Sequence, residues 1–295
     1  MNRFTSSLDF IFHALTQARL LLGVLLVVGL LLWIAIFASA KTEQLTVRFF
    51  DVGQGDAIFI ELPDKRQILI DGGPDTVVLE RLNKVMPFHD REIDVIVATH
   101  ADADHLTGLV RVLAHYDTKV IIWNGRDAQT KIFEEWKNAL DAENAEKIVG
   151  RCCMRFTLSD TAFFEILYPL QSANVDDIAR EAQNNYSLVI RFVYGNDSFL
   201  FTGDIERQVE YKITEQPLFL ESDVLKIPHH GSKTSSSELF LQEVSPKIAV
   251  ISVGRNNTYG HPYGAILQRL DTYGIKIRRT DREGDIVFTS NGNSF

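Results

Sequence analysis

Thr99-His100-Ala101-Asp102-Ala103-Asp104-His105 is the stretch on which the reading of this chain turns. It follows a continuous apolar run, residues 93–99, with the length of a buried strand, and leads into apolar residues at helical spacing over residues 105–115. Four side chains able to ligate a metal, His100, Asp102, Asp104 and His105, fall within six residues. Imidazole nitrogen and carboxylate oxygen both suit divalent transition metals, and a strand-to-helix turn lets all four converge on one side. A single Asp here would be explained by capping the helix, as Asp104 could do. Four together are not.

Upstream, residues 45–51, 57–62 and 67–71 are short β-prone runs separated by Gly53-Gln54-Gly55 and Pro63-Asp64, the pattern of consecutive hairpins. Residues 77–85 have helical spacing. Downstream, a strand at residues 120–123 precedes a helix at 131–145, strands near 155–158 and 163–168, and a polar loop at 171–184. Strands at 187–193 and 199–202 flank the turn Tyr194-Gly195-Asn196-Asp197. Strand ends follow at Ile227, Val253 and Ile277, with helical patterns at 206–214, 238–244 and 265–272. Hairpins first and alternating strand and helix thereafter predict two sheets packed face to face with helices outside, an α/β (α+β) class. No Pro/Gly/Ser-rich linker divides residues 41–295, which are expected to form one domain.

The chain has 295 residues, 45% hydrophobic, and 30 basic against 39 acidic side chains, so a general electrostatic binder of nucleic acid is excluded. No basic stripe interleaved with aromatic residues is present. The two cysteines, Cys152 and Cys153, are neighbours and fit neither a disulfide framework nor a Cys-type zinc site. Residues 20–40 carry no charge and are long enough for a membrane-spanning helix. Arg3 and Arg19 against Asp9 predict a cytoplasmic N-terminus, hence a single-pass protein of the cell membrane with residues 41–295 outside the cytoplasm. Ala38-Ser39-Ala40 also has the form of a cleavage site, and cutting there would release a secreted protein. Residues 41–295 hold 28 basic and 38 acidic side chains, a net charge of −10.

Three more strand ends carry polar chemistry. Phe201-Thr202-Gly203-Asp204 offers a carboxylate able to bridge two metals, and Ile227-Pro228-His229-His230-Gly231-Ser232 offers paired histidines. Lys233-Thr234-Ser235-Ser236-Ser237 then opens a helix whose free amides favour an anion. Tyr259-Gly260-His261-Pro262 closes the series.

These motifs occur in order with Asp51-Val52-Gly53-Gln54-Gly55-Asp56, Ile70-Asp71-Gly72-Gly73, Asn184-Asn185-Tyr186-Ser187 and Arg279-Thr280-Asp281-Arg282-Glu283-Gly284-Asp285. Residues 44–291 thereby resemble the metallo-β-lactamase-fold hydrolase domain found at the C-terminus of the ComEC/Rec2 competence proteins. The resemblance implies a four-layer αββα sandwich with a metal centre at one edge between the sheets. It implies one metal position held by Asp104, His105, Asp204 and His230, and another held by His100, Asp102 and Asp204. The superfamily's second histidine of HxHxDH is here Asp102, and Asn185 or Ser187 stands where a further ligand histidine is usual. With oxygen replacing nitrogen, one or two divalent ions are expected, Mn2+ ahead of Zn2+.

Chemically, a divalent ion generates hydroxide from bound water at neutral pH and withdraws charge from a phosphoryl oxygen. Asp104 would orient that nucleophile and His261 would polarise or protonate the leaving oxygen. Ser232, Lys233 and Ser235 would hold a substrate phosphate, with His229 beside them. Lys226, Arg255, Arg278, Arg279 and Arg282 are further basic groups expected at the cleft. The expected function is a metal-dependent phosphodiesterase or nuclease acting on extracytoplasmic DNA in competence-type uptake, with a DNA-uptake channel protein as partner. Hydrolysis of a cell-envelope phosphoester or lactone, and a non-catalytic membrane-tethered role beside such a channel, are the alternatives.

Overall fold

The apolar runs pair into two sheets because each strand buries one face against the other sheet and the opposite face under helices. The computed structural model describes residues 2–39, 44–170 and 182–293, in two units, residues 1–43 and 44–295. In the first, helix α1 (Asn2–Ser39) begins well before the apolar run, and within it Leu15–Ile34 is long and apolar enough to cross a membrane. Ala40 and the boundary expected at 40/41 lie outside the described residues, as does most of the polar loop after residue 170.

In the second unit, the first sheet contains β1 (Leu45–Phe49), β2 (Ile58–Glu61), β3 (Gln67–Ile70), β4 (Glu92–Ala98), β5 (Asp117–Trp123), β6 (Glu146–Val149) and β14 (Ile286–Ser290), in the order β14-β1-β2-β3-β4-β5-β6. The second contains β7 (Arg155–Thr157), β8 (Ala162–Tyr168), β9 (Val189–Tyr194), β10 (Asp197–Phe201), β11 (Val224–Lys226), β12 (Ile248–Ile251) and β13 (Lys276–Arg279), in the order β13-β12-β11-β10-β9-β8-β7. Each sheet is antiparallel in one half and parallel in the other: β14 to β3 and β7 to β10 pair antiparallel, β3 to β6 and β10 to β13 parallel. Antiparallel neighbours need only a tight turn, whereas parallel ones need a crossover. The first sheet's crossovers are α2 (Val77–Val85), α3 (Ala103–Leu113) and α4 (Lys131–Ala142). The second sheet's are α5 (Arg207–Thr214), α6 (Glu238–Val244) and α7 (Gly264–Thr272).

Three apolar clusters follow from this layering. One, including Phe49, Ile58, Ile190 and Phe201, lies between the sheets. The others lie under α2–α4, around Leu109 and Trp136, and under α5–α7, around Phe240 and Leu270. The result is the expected αββα sandwich. Two strands and a short helix, α8 (Thr280–Glu283), were not legible in the chain. β6 is a four-residue edge strand whose side chains are mostly exposed, so it lacks apolar alternation. β14 alternates, but its place comes from pairing with β1 across the whole unit, Leu45 opposite Ser290 and Phe49 opposite Ile286.

The candidate ligands leave the carboxyl ends of β3, β4, β10 and β11, where each sheet changes from antiparallel to parallel, the place where open α/β sheets bind ligands. Helix α3 is held there by backbone against backbone. Gly72 N–H donates to His105 O (2.8 Å) and Gly108 N–H to Gly73 O (3.0 Å), and a Cβ on Gly108 would lie 1.8 Å from Gly72 O. Gly108→Ala is therefore expected to destabilise the fold by about 1–3 kcal/mol and to weaken metal binding, because the same turn carries His105. Thermal unfolding of the full chain and metal titration check both.

Candidate metal centre

The ligand atoms of Asp104, His105, Asp204 and His230 all lie within 4.8 Å of one another. Asp104 and His105 come from the first turn of α3, Asp204 from the turn after β10, and His230 from the turn after β11. His105 Nε2 is 3.3 Å and His230 Nε2 3.2 Å from Asp204 Oδ2, and His230 Nε2 is 3.5 Å from Asp104 Oδ2. His100 stands beside them, its ring 4.1 Å from that of His105, with Asp102 Oδ2 3.7 Å from its Nε2.

Each imidazole is held by its other nitrogen. Asp71, an acceptor only, takes hydrogen bonds from Thr99 N (2.8 Å), from Thr99 Oγ1 (2.7 Å) and from His105 Nδ1 (2.8 Å). With its proton given to Asp71, Thr99 Oγ1 accepts from His100 Nδ1 at 3.0 Å. His230 Nδ1 donates to Ser252 O at 2.8 Å. All three histidines therefore present Nε2 to the site, and all three Nε2 atoms are buried without a hydrogen-bond partner. Three buried imidazole nitrogens and two carboxylates gathered this closely are costly to hold without a cation among them, whether a proton or a metal. A divalent metal fits that donor set.

Behind Asp204 lies a buried cation that the chain alone did not reveal. Lys226, expected at the cleft, is 0% exposed. Its Nζ pairs with Asp56, with Asp204 Oδ1 at 3.2 Å, and with Gly203 O at 2.8 Å. It thus holds one oxygen of Asp204 and leaves Oδ2 facing the histidines. Asp56 and Asp71 also lie within ligand distance of His105. The signal for both was an acid bounded by strongly apolar strands, Asp56 before residues 57–60 and Asp71 after 68–70.

The paired histidines serve different places. His229 and His230 both have left-handed backbone, φ 50° and 53°, a conformation costing about 1–3 kcal/mol per residue that surrounding contacts must hold. The bend sends His230 to the cluster and His229 to Asn184 Nδ2 (3.3 Å) and Glu206 Oε1 (3.8 Å). Asn185 clamps Glu206, accepting from its N–H at 3.0 Å, and Ser187 Oγ accepts Asp204 N–H at 3.0 Å. Both position the backbone around Asp204. Ser235 Oγ is buried and donates to Pro228 O, so it is not open to substrate. The amides expected to bind an anion already have one: Ser236 N–H and Ser237 N–H donate to the buried carboxylate of Glu210. Ser232 is mostly buried and bonded to Thr234, Lys233 is exposed, and Arg278 and Arg279 are paired with Glu283 and Asp281.

Charge in the metal-free centre follows from these contacts. Burial pulls the His230 imidazole down, but Asp204, Asp104 and Asp56 carry it up to about 9. His105 is raised likewise against its burial by Asp204, Asp71 and Asp104. Burial pushes Asp104 and Asp204 up, but the neighbouring cations outweigh it, His105 and His230 at Asp104 and His230, His105 and Lys226 at Asp204, so both stay ionised. Burial, then His105, keeps His100 neutral. Burial, then His230 and His229, lowers His261 to about 4. Near neutral pH, His261 can donate a hydrogen bond to a leaving oxygen, but it does not carry an imidazolium proton for it.

A two-sheet sandwich with helices on both outer faces and histidines and carboxylates gathered at one edge defines a metallo-β-lactamase-fold protein. The chain belongs to the β-lactamase superfamily, whose domain model matches residues 66–225. It is 31% identical over 294 residues to ComE operon protein 3 of Bacillus subtilis, covering 94% of this chain and 36% of that protein. It is 32% identical over 267 residues to competence protein ComA of Neisseria gonorrhoeae, covering 87% and 35%. The chain thus spans about a third of the length of these curated relatives. Among solved structures, the metallo-β-lactamase-fold protein YhfI of Bacillus subtilis superposes with a TM-score of 0.56 at 11% identity, covering 84% of this chain and 100% of that one, a likeness of fold.

Two predictions follow from the hydrogen bonds and charges. Asp71→Asn leaves an amide that cannot accept all three hydrogen bonds from Thr99 and His105, and metal affinity is expected to fall roughly 10- to 100-fold, measured by competition with a chromophoric chelator. In the metal-free protein, the raised His230 pKa stabilises the fold fully below the unfolded imidazole value of about 6.5, and that stabilisation is lost as pH rises through about 9. A bound divalent ion must displace this proton. Calorimetric titration at pH 7 in buffers of differing ionisation enthalpy should record net proton release, and none would remove His230 Nε2 from the ligand set.

Proposed function

We propose that this protein is a metal-dependent phosphodiesterase, a nuclease acting on extracytoplasmic DNA in competence-type uptake. The observation that carries the reading is the convergence of the buried Nε2 atoms of His105 and His230 on Asp204 Oδ2, with the buried His100 ring beside that of His105. The competence relatives support the DNA context. Asp104, His105, Asp204 and His230 would hold a divalent ion, with His100, Asp102 and Asp204 available to a second. The carboxylate-rich donor set favours Mn2+, with Zn2+ next. When bound, such an ion supplies Lewis acidity to a phosphoryl oxygen.

The chain's own residues supply the rest. Asp104, ionised and about one-third exposed, is the most open of the four clustered side chains and would orient the attacking water. His261, neutral at pH 7, would donate a hydrogen bond to the leaving oxygen. Lys233 is the exposed cation for a neighbouring phosphate, with Ser232 beside it. Residues 15–34 would anchor the protein, with Arg3 and Arg19 keeping the N-terminus cytoplasmic, and a DNA-uptake channel protein would be the partner at the membrane.

The test is release of nucleotides from single- and double-stranded DNA by the detergent-solubilised chain loaded with Mn2+ or Zn2+, beside Asp204→Ala. Degradation is expected to require both metal and Asp204. If metal binds stoichiometrically and DNA survives under both ions, the nuclease reading fails, and small phosphoesters and lactones are the next substrates.

A further inference from the structure

The loop at residues 254–263, which carries His261, also carries two aromatic side chains left open to water. Tyr259 is 65% and Tyr263 37% exposed. Their rings flank the imidazole: Tyr259 lies nearly parallel to it, 24° apart at a centroid distance of 5.8 Å, and Tyr263 is tilted by 56° at 6.2 Å. Lys233 Nζ stands 5.7 Å from the Tyr263 ring. A chain of rings joins this ledge to the metal centre, since His261 is 5.7 Å from His229, and His229 is 6.4 Å from His230.

The loop that presents the ledge is built, not loose. Asn257 Nδ2 donates to Gly254 O (2.9 Å) and His261 O (2.8 Å), Asn257 Oδ1 accepts from His261 N (3.0 Å), and Tyr263 N donates to Gly231 O (2.9 Å). Such a loop could have folded a tyrosine inward, and here it holds one outward beside the candidate leaving-group residue. The electrostatics ask for a contact of this kind. Residues 41–295 carry a net charge of −10, Lys226 is buried, and Arg278 and Arg279 are paired, so that of the cations expected at the cleft Lys233, Arg255 and Arg282 are left exposed, and a contact that does not depend on charge adds to them. Stacking of bases on aromatic rings is indifferent to sequence and is available only where bases are unpaired.

We propose that Tyr259 and Tyr263 form a base-stacking subsite. It takes the nucleobase of an unpaired nucleotide next to the phosphodiester at the metal centre, and Lys233 meets the adjoining phosphate. This rests on the phosphodiesterase reading above and narrows its substrate to base-bearing single strands. In the sequence, Lys233 and Tyr263 are 30 positions apart, which is why no basic and aromatic stripe was visible there.

The test compares oligothymidylate with an abasic oligomer of the same length as substrates of the Mn2+-loaded full chain in detergent. Its readout is the ratio of kcat/KM, base-bearing over abasic. The wild-type ratio is expected to be about tenfold or more. Tyr259→Ala should bring it down towards one, through KM, with a smaller fall in Tyr263→Ala, and Tyr259→Phe should retain it because the stacking face remains. A wild-type ratio near one, or a ratio unchanged in both alanine variants, overturns the subsite and leaves the nuclease reading standing. Cleavage of neither polymer overturns both.

Discussion

One carboxylate oxygen, Oδ2 of Asp71, organises the centre. It accepts directly from His105 and, through the hydroxyl of Thr99, sets the proton of His100, so a single group fixes the tautomer of two imidazoles on different elements. Were either ring free to rotate, its Nε2 would no longer face the site. The outer partner thus does as much as the ligands themselves to define the centre. Asp71 can do this because β3 and β4 pair in parallel and end together, with Asp71 N–H on Val97 O at 2.8 Å, so that the turn after one strand meets the turn after the other.

The second constraint is charge. Asp56, Asp71 and Asp204 are nearly inaccessible to water, and burying three carboxylates this closely would be prohibitive without compensation. Lys226 compensates from behind by pairing with Asp56 and Asp204, while the histidines do so in front. This arrangement also divides the labour of Asp204. Oδ1 belongs to the scaffold and Oδ2 to the site. The left-handed turn at His229 and His230 is of the same kind, local strain held by surrounding structure so that two adjacent side chains serve different places.

Much of this was legible in the chain. The dense HADADH run, the strand that feeds it, the hairpins before it and the alternating elements after it all have local causes. The antiparallel halves and their crossovers follow from loop length. Lys226, Ser235 and the 236–237 amides were misread for a common reason. A polar group near a strand end resembles a ligand-binding group until its partner is known, and the partners here, Asp56, Pro228 O and Glu210, lie 170, 7 and about 27 residues away. Strands β6 and β14 were missed because an exposed edge strand has no alternation, and a terminal strand is defined by its neighbour.

By itself, the sequence determined the αββα layering, the strand-end placement of the candidate metal-binding side chains and the acidic character of the domain, because these rest on periodicity, turn residues and composition. Only the tertiary structure decided which nitrogen of each histidine faces the site, which oxygen of Asp204 is free, which serine hydroxyls and amides are already engaged, and that Tyr259, Tyr263 and Lys233 share one ledge with His261. Those are matters of hydrogen-bond partnership and burial. A donor or acceptor is spent or available according to what folds against it from elsewhere in the chain, which no local pattern records.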